Sequence, residues 1–429
     1  WMEMSAIHKR ADEGILDRYR ERFGDAWVET RGEPGAKDHE VRLKPMDEFR
    51  YLVEETGKFI LIPAEEISDS AEGKPVHINA TNLAEVLKPV GGETVRQAIE
   101  NNLRAILEHE KSHGREVLPH VNHPNFHYAV TAEDLAAVVS ERFFEVYNGH
   151  PGVNHLGDKD HPSIERMWDI ANAIRQTSLD IPPLMGIGTD DSHEYHGKAG
   201  SRPGRGWVMV RSKYLTPEHL IRAMKRGDFY ASSGVTLNDV QFDKQNRTLS
   251  LAIASEPDTT YETKFIATLK KGNGVDEHRI GVVVATSEST SPEYKLTGNE
   301  LYVRAVVTSS KPPVDPSFKD QNGMICRGVA TSDPSIDRFP AGQVRFAAKV
   351  DSQIVLAIPS IPATCGQSNS RIPCSRASWA HIEFQWTDPS TPKDCTTVSV
   401  LSSLNRTPAI KVRQFLRSLS HPSVDYFGE

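Results

Sequence analysis

The chain has 429 residues, 38% hydrophobic and 25% charged, with a formal net charge of −8; that length fits two or three domains and can bury a large core. The acidic balance argues against a nucleic-acid coat or an electrostatic membrane binder, and no apolar run approaches the roughly 18 residues of a transmembrane helix. Four cysteines and no C-x-x-C pair exclude a disulfide scaffold and a paired-cysteine zinc site.

The chain opens on Trp1 with no signal-peptide pattern and runs into a polar, helix-like stretch containing His8. The natural start is expected upstream, and both a cytoplasmic and an exported location fit. From about residue 40 to 235, short apolar runs alternate with helical patterns. Phe49, Leu52 and Val53 predict a helix over Met46–Glu55 that stops at Gly57. Phe59–Pro63 then reads as a buried strand. Val95, Ile99, Leu103, Ile106 and Leu107 give one face of a helix over Thr94–Lys111. A short strand begins at Val117–Leu118. Thr131 caps a helix whose Glu133 and Asp134 suit its N-terminus. Strands are predicted at Phe143–Tyr147, Leu184–Ile187 and Val208–Val210, with a helix over Ser163–Thr177. Thr216, Pro217 and Gly227 delimit a helix over Pro217–Arg226. Such alternation predicts parallel strands with crossover helices, most simply an α/β barrel short of one or more strands.

After Gly234 the pattern changes to strands separated by polar turns. Leu237–Phe242, Leu249–Ile253, Lys264–Leu269, Ile280–Ala285 and Leu301–Val307 predict a small antiparallel, sandwich-like β-domain over 236–325. Residues 326–429 hold all four cysteines and many Ser and Pro, and the net charge turns from −11 over 1–326 to +3 over 327–429. This tail reads as irregular and of uncertain origin, with weak strand candidates at Val344–Val350, Ile354–Ile358, His381–Trp386 and Thr397–Leu401. Asn79, Asn246 and Asn405 open N-x-T triplets, which matter only in a glycosylating pathway.

Histidine carries the chemical signal: 11 of the 17 lie between His77 and His196. Glu65–Glu66 follow the Phe59 strand, and only one of the two can face inward. Val76 leads into His77, and the Val117 strand runs into His120 and His123. The Phe143 strand contains Glu145 and ends at Asn148–Gly149–His150, and the Leu184 strand leads to Asp190–Asp191–Ser192–His193. Strand ends of a β/α barrel open onto one face, so these donors are expected to converge there. Imidazole mixed with carboxylate suits Mn, Fe or Zn. Asp191 and His193, two residues apart in extended chain, share a side. His109, His113, His161 and His219 fall on helices or their approaches and are expected to be solvated. The loop Gly197–Gly206, with Lys198, Arg202 and Arg205, reads either as an anion cradle or as a flexible solvated loop.

With these residues in view, the sequence resembles the PHP (polymerase and histidinol phosphatase) superfamily. The matching segments are LIPAEEIS with Glu66, PVHINATN with His77, NHPN with His123, EVYNG (Glu145–Gly149), GIGTDDSH with Asp191 and His193, and GDFYASSG (Gly227–Gly234). They span about residues 40–235. The resemblance implies a distorted seven-stranded β/α barrel, two or three divalent metals and hydrolysis of phosphoesters. It makes Glu66, His77, His123, Asp191 and His193 metal ligands, with Glu66, Asp191 and His193 at the chemistry. The family's opening His-x-His and Asp-His motifs have no counterpart here, so a partial site is expected, in a domain over 1–235 that lacks its first strands.

The expected function is metal-dependent hydrolysis of a small phosphorylated substrate, with Arg205, and less directly Arg202, contacting that substrate. Two alternatives remain at this level. One is hydrolysis of a carbon–nitrogen bond on a similar centre, because ligands alone do not choose the electrophile. The other is a non-catalytic binding protein.

Overall fold

The computed structural model describes residues 8–10, 13–140, 142–193, 201–272, 274–311, 329–332, 354–356, 378–385 and 397–402. The predicted strand at Val344–Val350, the four cysteines, Lys198, His196 and Asn405 lie outside them. Strands β1 (His8–Arg10), β2 (Thr30–Arg31) and β3 (Glu40–Arg42) form a small antiparallel sheet in the order β1-β3-β2, and helix α1 (Glu13–Phe23) lies between β1 and β2. His8 is therefore in a strand, not in the predicted helix: it pairs with Arg42, a distant partner that overrides local preference.

Helix α2 (Met46–Val53) lays Met46, Phe49 and Val53 against Phe59 and Leu61. Leu52, expected on that face, is exposed. Strand β4 (Phe59–Ala71) is much longer than predicted, and β5 (Lys74–Thr81) returns antiparallel to it. Glu72 and Gly73 join them at φ 55° and 72°, the left-handed pair of a tight hairpin whose twist matches its strands. Helix α3 (Val95–His113) starts at Thr94, whose side chain accepts from Gln97 N, and ends at Gly114 in the left-handed region. It buries Val95, Ile99, Leu103 and Ile106 as predicted but leaves Leu107 exposed.

Strand β6 (Leu118–Val121), helix α4 (Ala132–Ala137), strand β7 (Phe143–Asn148), helix α5 (Ile164–Ile174) and strand β8 (Met185–Thr189) follow. Thr131 and Asp134 form a reciprocal capping box on α4. Past α5 the chain widens into a π-turn at Arg175–Leu179, and the buried Arg175 donates to Val138 O at 2.8 Å. Strand β9 (Trp207–Ser212), helix α6 (Pro217–Arg226) and strand β10 (Phe229–Ser232) complete this part. Helix α6 has its predicted bounds, with Thr216 as N-cap, Pro217 at the first turn and Gly227 at the C-cap.

The expected parallel set is only partly realised. β6-β7-β8 are parallel, while β4-β5, β5-β6 and β9-β10 are antiparallel. The structure is mixed α/β, and among the described residues no sheet closes into a barrel. Among the described residues β8 ends the ladder without pairing to β9, although a Cβ on its Gly188 would meet Trp207 O at 3.0 Å.

The predicted antiparallel region is present as β11 (Leu237–Asp243), β12 (Thr248–Ile253), β13 (Tyr261–Lys271), β14 (Gly274–Val275), β15 (Val282–Ser287), β16 (Glu293–Lys295) and β17 (Glu300–Ser309). β11-β12-β16 form one sheet, while β13 pairs with β14, β15 and β17 in another. The two faces meet where Phe265 stacks on Tyr294 with centroids 5.5 Å apart, as a sandwich requires. In the tail, β18 (Val329–Ser332), β19 (Ile354–Leu356), β20 (Ser378–Gln385) and β21 (Thr397–Ser402) join the large sheet. β18 and β19 bridge β17 to β10, and the β20–β21 hairpin lies between β9 and β4. Three of the four weak tail candidates thus coincide with strands.

Candidate metal centre

The β4–β5 hairpin creates the first half of the site. Its register places Glu66 opposite Asn79 and Ser68 opposite His77. Directly opposed residues share a face, as do residues two apart, so Glu66 and His77 project together. β6 extends that face by pairing Asn79 with His120. Beyond β6 the chain turns at Asn122 and His123. His123 N donates to Glu145 Oε2 at 2.8 Å, which ties this turn to β7. β7 supplies Glu145 and Asn148, and the segment after β8 supplies Asp190, Asp191 and His193.

Glu66, His77 and His123 each offer a donor atom within 4.8 Å of the others. His77 Nδ1 lies 2.8 Å from Glu66 Oε1, and His123 Nε2 lies 3.8 Å from the same oxygen. Asn122 Nδ2 donates to that oxygen at 3.0 Å and orients the carboxylate. Burial opposes charging on His77, but Glu66 first, with Glu145 and Asp69, together outweigh it, so this imidazole's pKa is raised. His123 responds in the opposite sense: burial lowers its pKa to about 4. It is therefore neutral near pH 7, the form a metal binds.

Glu145 is fully buried beside His120, whose Nε2 stands 3.4 Å from its Oε1. Burial alone would raise its pKa, but the His120 contact, the His123 and His120 rings and the Asn148 amide hold it at about 2. Asn148 Nδ2 bridges two carboxylates, donating to Glu145 Oε2 at 2.9 Å and Asp191 Oδ2 at 3.1 Å. Asp191 has its pKa raised well above the usual range, first by burial and then by Glu66 and Glu145. Its backbone is also in the left-handed region, at φ 47°, a strained conformation for a non-glycine residue. Three carboxylates thus meet in a buried volume where a divalent cation would relieve their repulsion.

Of the remaining predicted ligands, Asp191 and His193 stand together outside that 4.8 Å group. His193 Nδ1 is 3.3 Å from Asp191 Oδ1, and its ring meets His150 with centroids 4.8 Å apart. Arg205 is buried, with Nη1 3.4 Å from Gly149 O, while Arg202 is half-buried. Asp190 fixes their loop: its carboxylate accepts from the backbone N of Gly204, Arg205 and Gly206 at 2.8, 2.5 and 2.6 Å. Gly206 is needed there, because a Cβ would stand 2.4 Å from Thr189 O.

Glu66 is the inward member of its pair. Glu65 turns away to accept from Leu87 N at 2.8 Å. His155, buried with its pKa lowered to about 4 by burial, puts Nε2 2.7 Å from Asn148 O. The strand-end pattern names Glu145, Asn148 and Asp190 without giving them a role and passes over Asn122. The signal available for Glu145 was a charged residue inside an otherwise apolar strand. Asn79, from the first N-x-T triplet, is 1% exposed and its Nδ2 stands 3.2 Å from His120 Nε2, so it is closed to modification in the folded protein.

The donor set fits a metal: two imidazoles and one carboxylate converge, further carboxylates surround them, and neighbouring amides hold them in place. Comparison of the chain with known protein families, with curated proteins and with solved structures finds no match.

Proposed function

We propose that this protein is a metal-dependent hydrolase of phosphate esters, of the kind its motifs resemble. In this reading β4–β10 are an open, partial form of the PHP barrel. Glu66, His77, His123, Asp191 and His193 hold divalent metal of the Mn, Zn or Fe class. The observation that carries the reading is the convergence of Glu66, His77 and His123 donor atoms within 4.8 Å, on a floor shared with Glu145 and Asp191.

A bound divalent cation supplies an activated water and neutralises charge developing on a phosphoryl group. The chain's own residues do the rest. Glu66 and Asp191 balance the cation's charge, and Asn122 and Asn148 hold these carboxylates in place by hydrogen bonds. Asp190 sets the loop from which Arg205 presents a guanidinium beside Gly149. A phosphate bound there meets a fixed guanidinium, which favours an anionic substrate.

The test is metal analysis of the purified chain, followed by turnover of p-nitrophenyl phosphate against amide substrates. Metal near one ion per chain or above, with phosphate release that Asp191→Asn abolishes along with bound metal, is the expected result. Full metal content in Asp191→Asn counts against Asp191 as a ligand. Amide cleavage without phosphate release turns the reading toward carbon–nitrogen hydrolysis, and no bound metal turns it toward a binding protein.

A further inference from the structure

A second group of metal donors lies where the C-terminal end of α3 meets the segment that follows β5. His109 and His113 are one turn apart in the last two turns of that helix, and their rings stack with centroids 4.2 Å apart. Glu85, in the segment between β5 and α3, approaches them, with Oε1 3.7 Å from His113 Nε2. Each of the three offers a donor atom within 4.8 Å of the others. The local sequence His109-Glu110-Lys111-Ser112-His113 has the H-E-x-x-H spacing that places two imidazoles on one helix face.

The surrounding hydrogen bonds prepare both rings. His113 Nδ1 is 3.1 Å from His109 O and 3.0 Å from Ser112 Oγ, so a proton on Nδ1 leaves the Nε2 lone pair facing Glu85. His109 is 4% exposed, not solvated as its helical position predicts, and its Nε2 accepts from Ala84 N at 3.0 Å. That lone pair thus points at the residue preceding Glu85. A helix C-terminus adds partial negative charge that favours a cation. Glu110 is committed elsewhere, accepting from Val117 N at 2.7 Å and Lys225 Nζ at 2.6 Å. The motif's usual general base is therefore turned away from this group, and the site is structural in character.

We propose that Glu85, His109 and His113 bind one zinc ion that ties the β5–α3 segment to the end of α3. Two imidazoles and a carboxylate are a zinc donor set, with water completing four ligands. Binding exchanges the Ala84 hydrogen bond on His109 for coordination. This zinc is independent of the centre at Glu66.

The experiment strips the full chain with a chelator and titrates zinc against a chromophoric zinc indicator, in wild type, His113→Ala, Glu85→Gln and Glu66→Gln. His113 and Glu85 are exposed, so these variants keep the fold, and far-ultraviolet circular dichroism verifies it. The expected result is one zinc fewer per chain in His113→Ala, affinity at this site weakened about tenfold or more in Glu85→Gln, and this zinc retained in Glu66→Gln. Equal stoichiometry and affinity in wild type and His113→Ala overturns the proposal while leaving the Glu66 centre standing. Loss of one zinc in His113→Ala with no change in Glu66→Gln supports it and shows that the Glu66 centre takes no zinc.

Discussion

Asn148 shows how one neutral side chain organises the charged centre. It donates to Glu145 and to Asp191, and its own Oδ1 accepts from His150 N at 2.7 Å. Truncation to alanine leaves two buried carboxylates short of a donor each, which costs about 1–3 kcal/mol. Asn148→Ala is therefore expected to unfold at lower urea concentration. It is also expected to bind metal about 10–100-fold more weakly, as loss of an outer partner usually does; calorimetric titration measures this. Glu300 poses a cleaner electrostatic test, away from any metal donor. Its carboxylate accepts from Tyr294 Oη, Thr297 N, Thr297 Oγ1 and Gly298 N. Burial would raise its pKa, but these donors hold it below the ordinary glutamate value of 4.5. A lowered folded pKa gives stability that is complete above the unfolded value and fades as pH falls through the folded one. The stability gap between wild type and Glu300→Gln is thus expected to be widest near neutrality and to close below about pH 4.5; urea melts across pH measure it.

At the scale of elements, the junction between α5 and β17 joins the α/β part to the strands that follow it. Arg304 Nη2 meets Asp169 Oδ2 at 2.9 Å, Arg304 Nη1 meets Glu165 Oε1 at 3.1 Å, and Tyr302 Oη donates to Asp169 Oδ1 at 2.7 Å. Trp168 packs edge-on against Tyr302 with centroids 5.1 Å apart. Asp169→Ala leaves Arg304 buried with part of its partnership gone, and breaking such a pair costs about 3–5 kcal/mol. Replacing both members by apolar residues of similar volume is expected to cost less, which thermal melts of the single and double variants test. This junction was not legible in the sequence. Asp169 and Arg304 are 135 residues apart, and each looks like an ordinary surface charge. Helix α6 was legible to the residue because its start and stop are written locally in Thr216, Pro217 and Gly227. The β4–β5 hairpin was not, because Glu72-Gly73 is a less distinctive turn pair than Asn-Gly. Missing it turned an antiparallel return into an expected parallel crossover. The donors were found despite this error, since a hairpin and a crossover can both bring Glu66 and His77 to one end of a sheet. Their amide supports, Asn122 and Asn148, received no role because asparagine carries no ligand signal of its own.

On the scale of the whole molecule, the buried carboxylates set two demands against each other. Folding without a cation places Glu66, Glu145 and Asp191 near one another out of water, and Asp191 bears the repulsion of the other two. Binding a cation needs that same arrangement. A ligand that binds only the folded state stabilises it by mass action, about 2.7 kcal/mol at a hundredfold excess over its dissociation constant. Chelation is therefore expected to lower the melting temperature of wild type, and added manganese or zinc to restore it. Asp191→Asn separates the two demands. Removing the charge relieves the repulsion while keeping an oxygen for the Asn148 amide, so the stripped variant is expected to melt above stripped wild type. With metal present the order reverses, because the variant has lost a ligand. A crossing of this kind in paired melting curves, with and without chelator, is what a cation-dependent carboxylate cluster requires. If Asp191→Asn instead melts below wild type under both conditions, the residue serves the fold through its hydrogen bonds and not a metal through its charge.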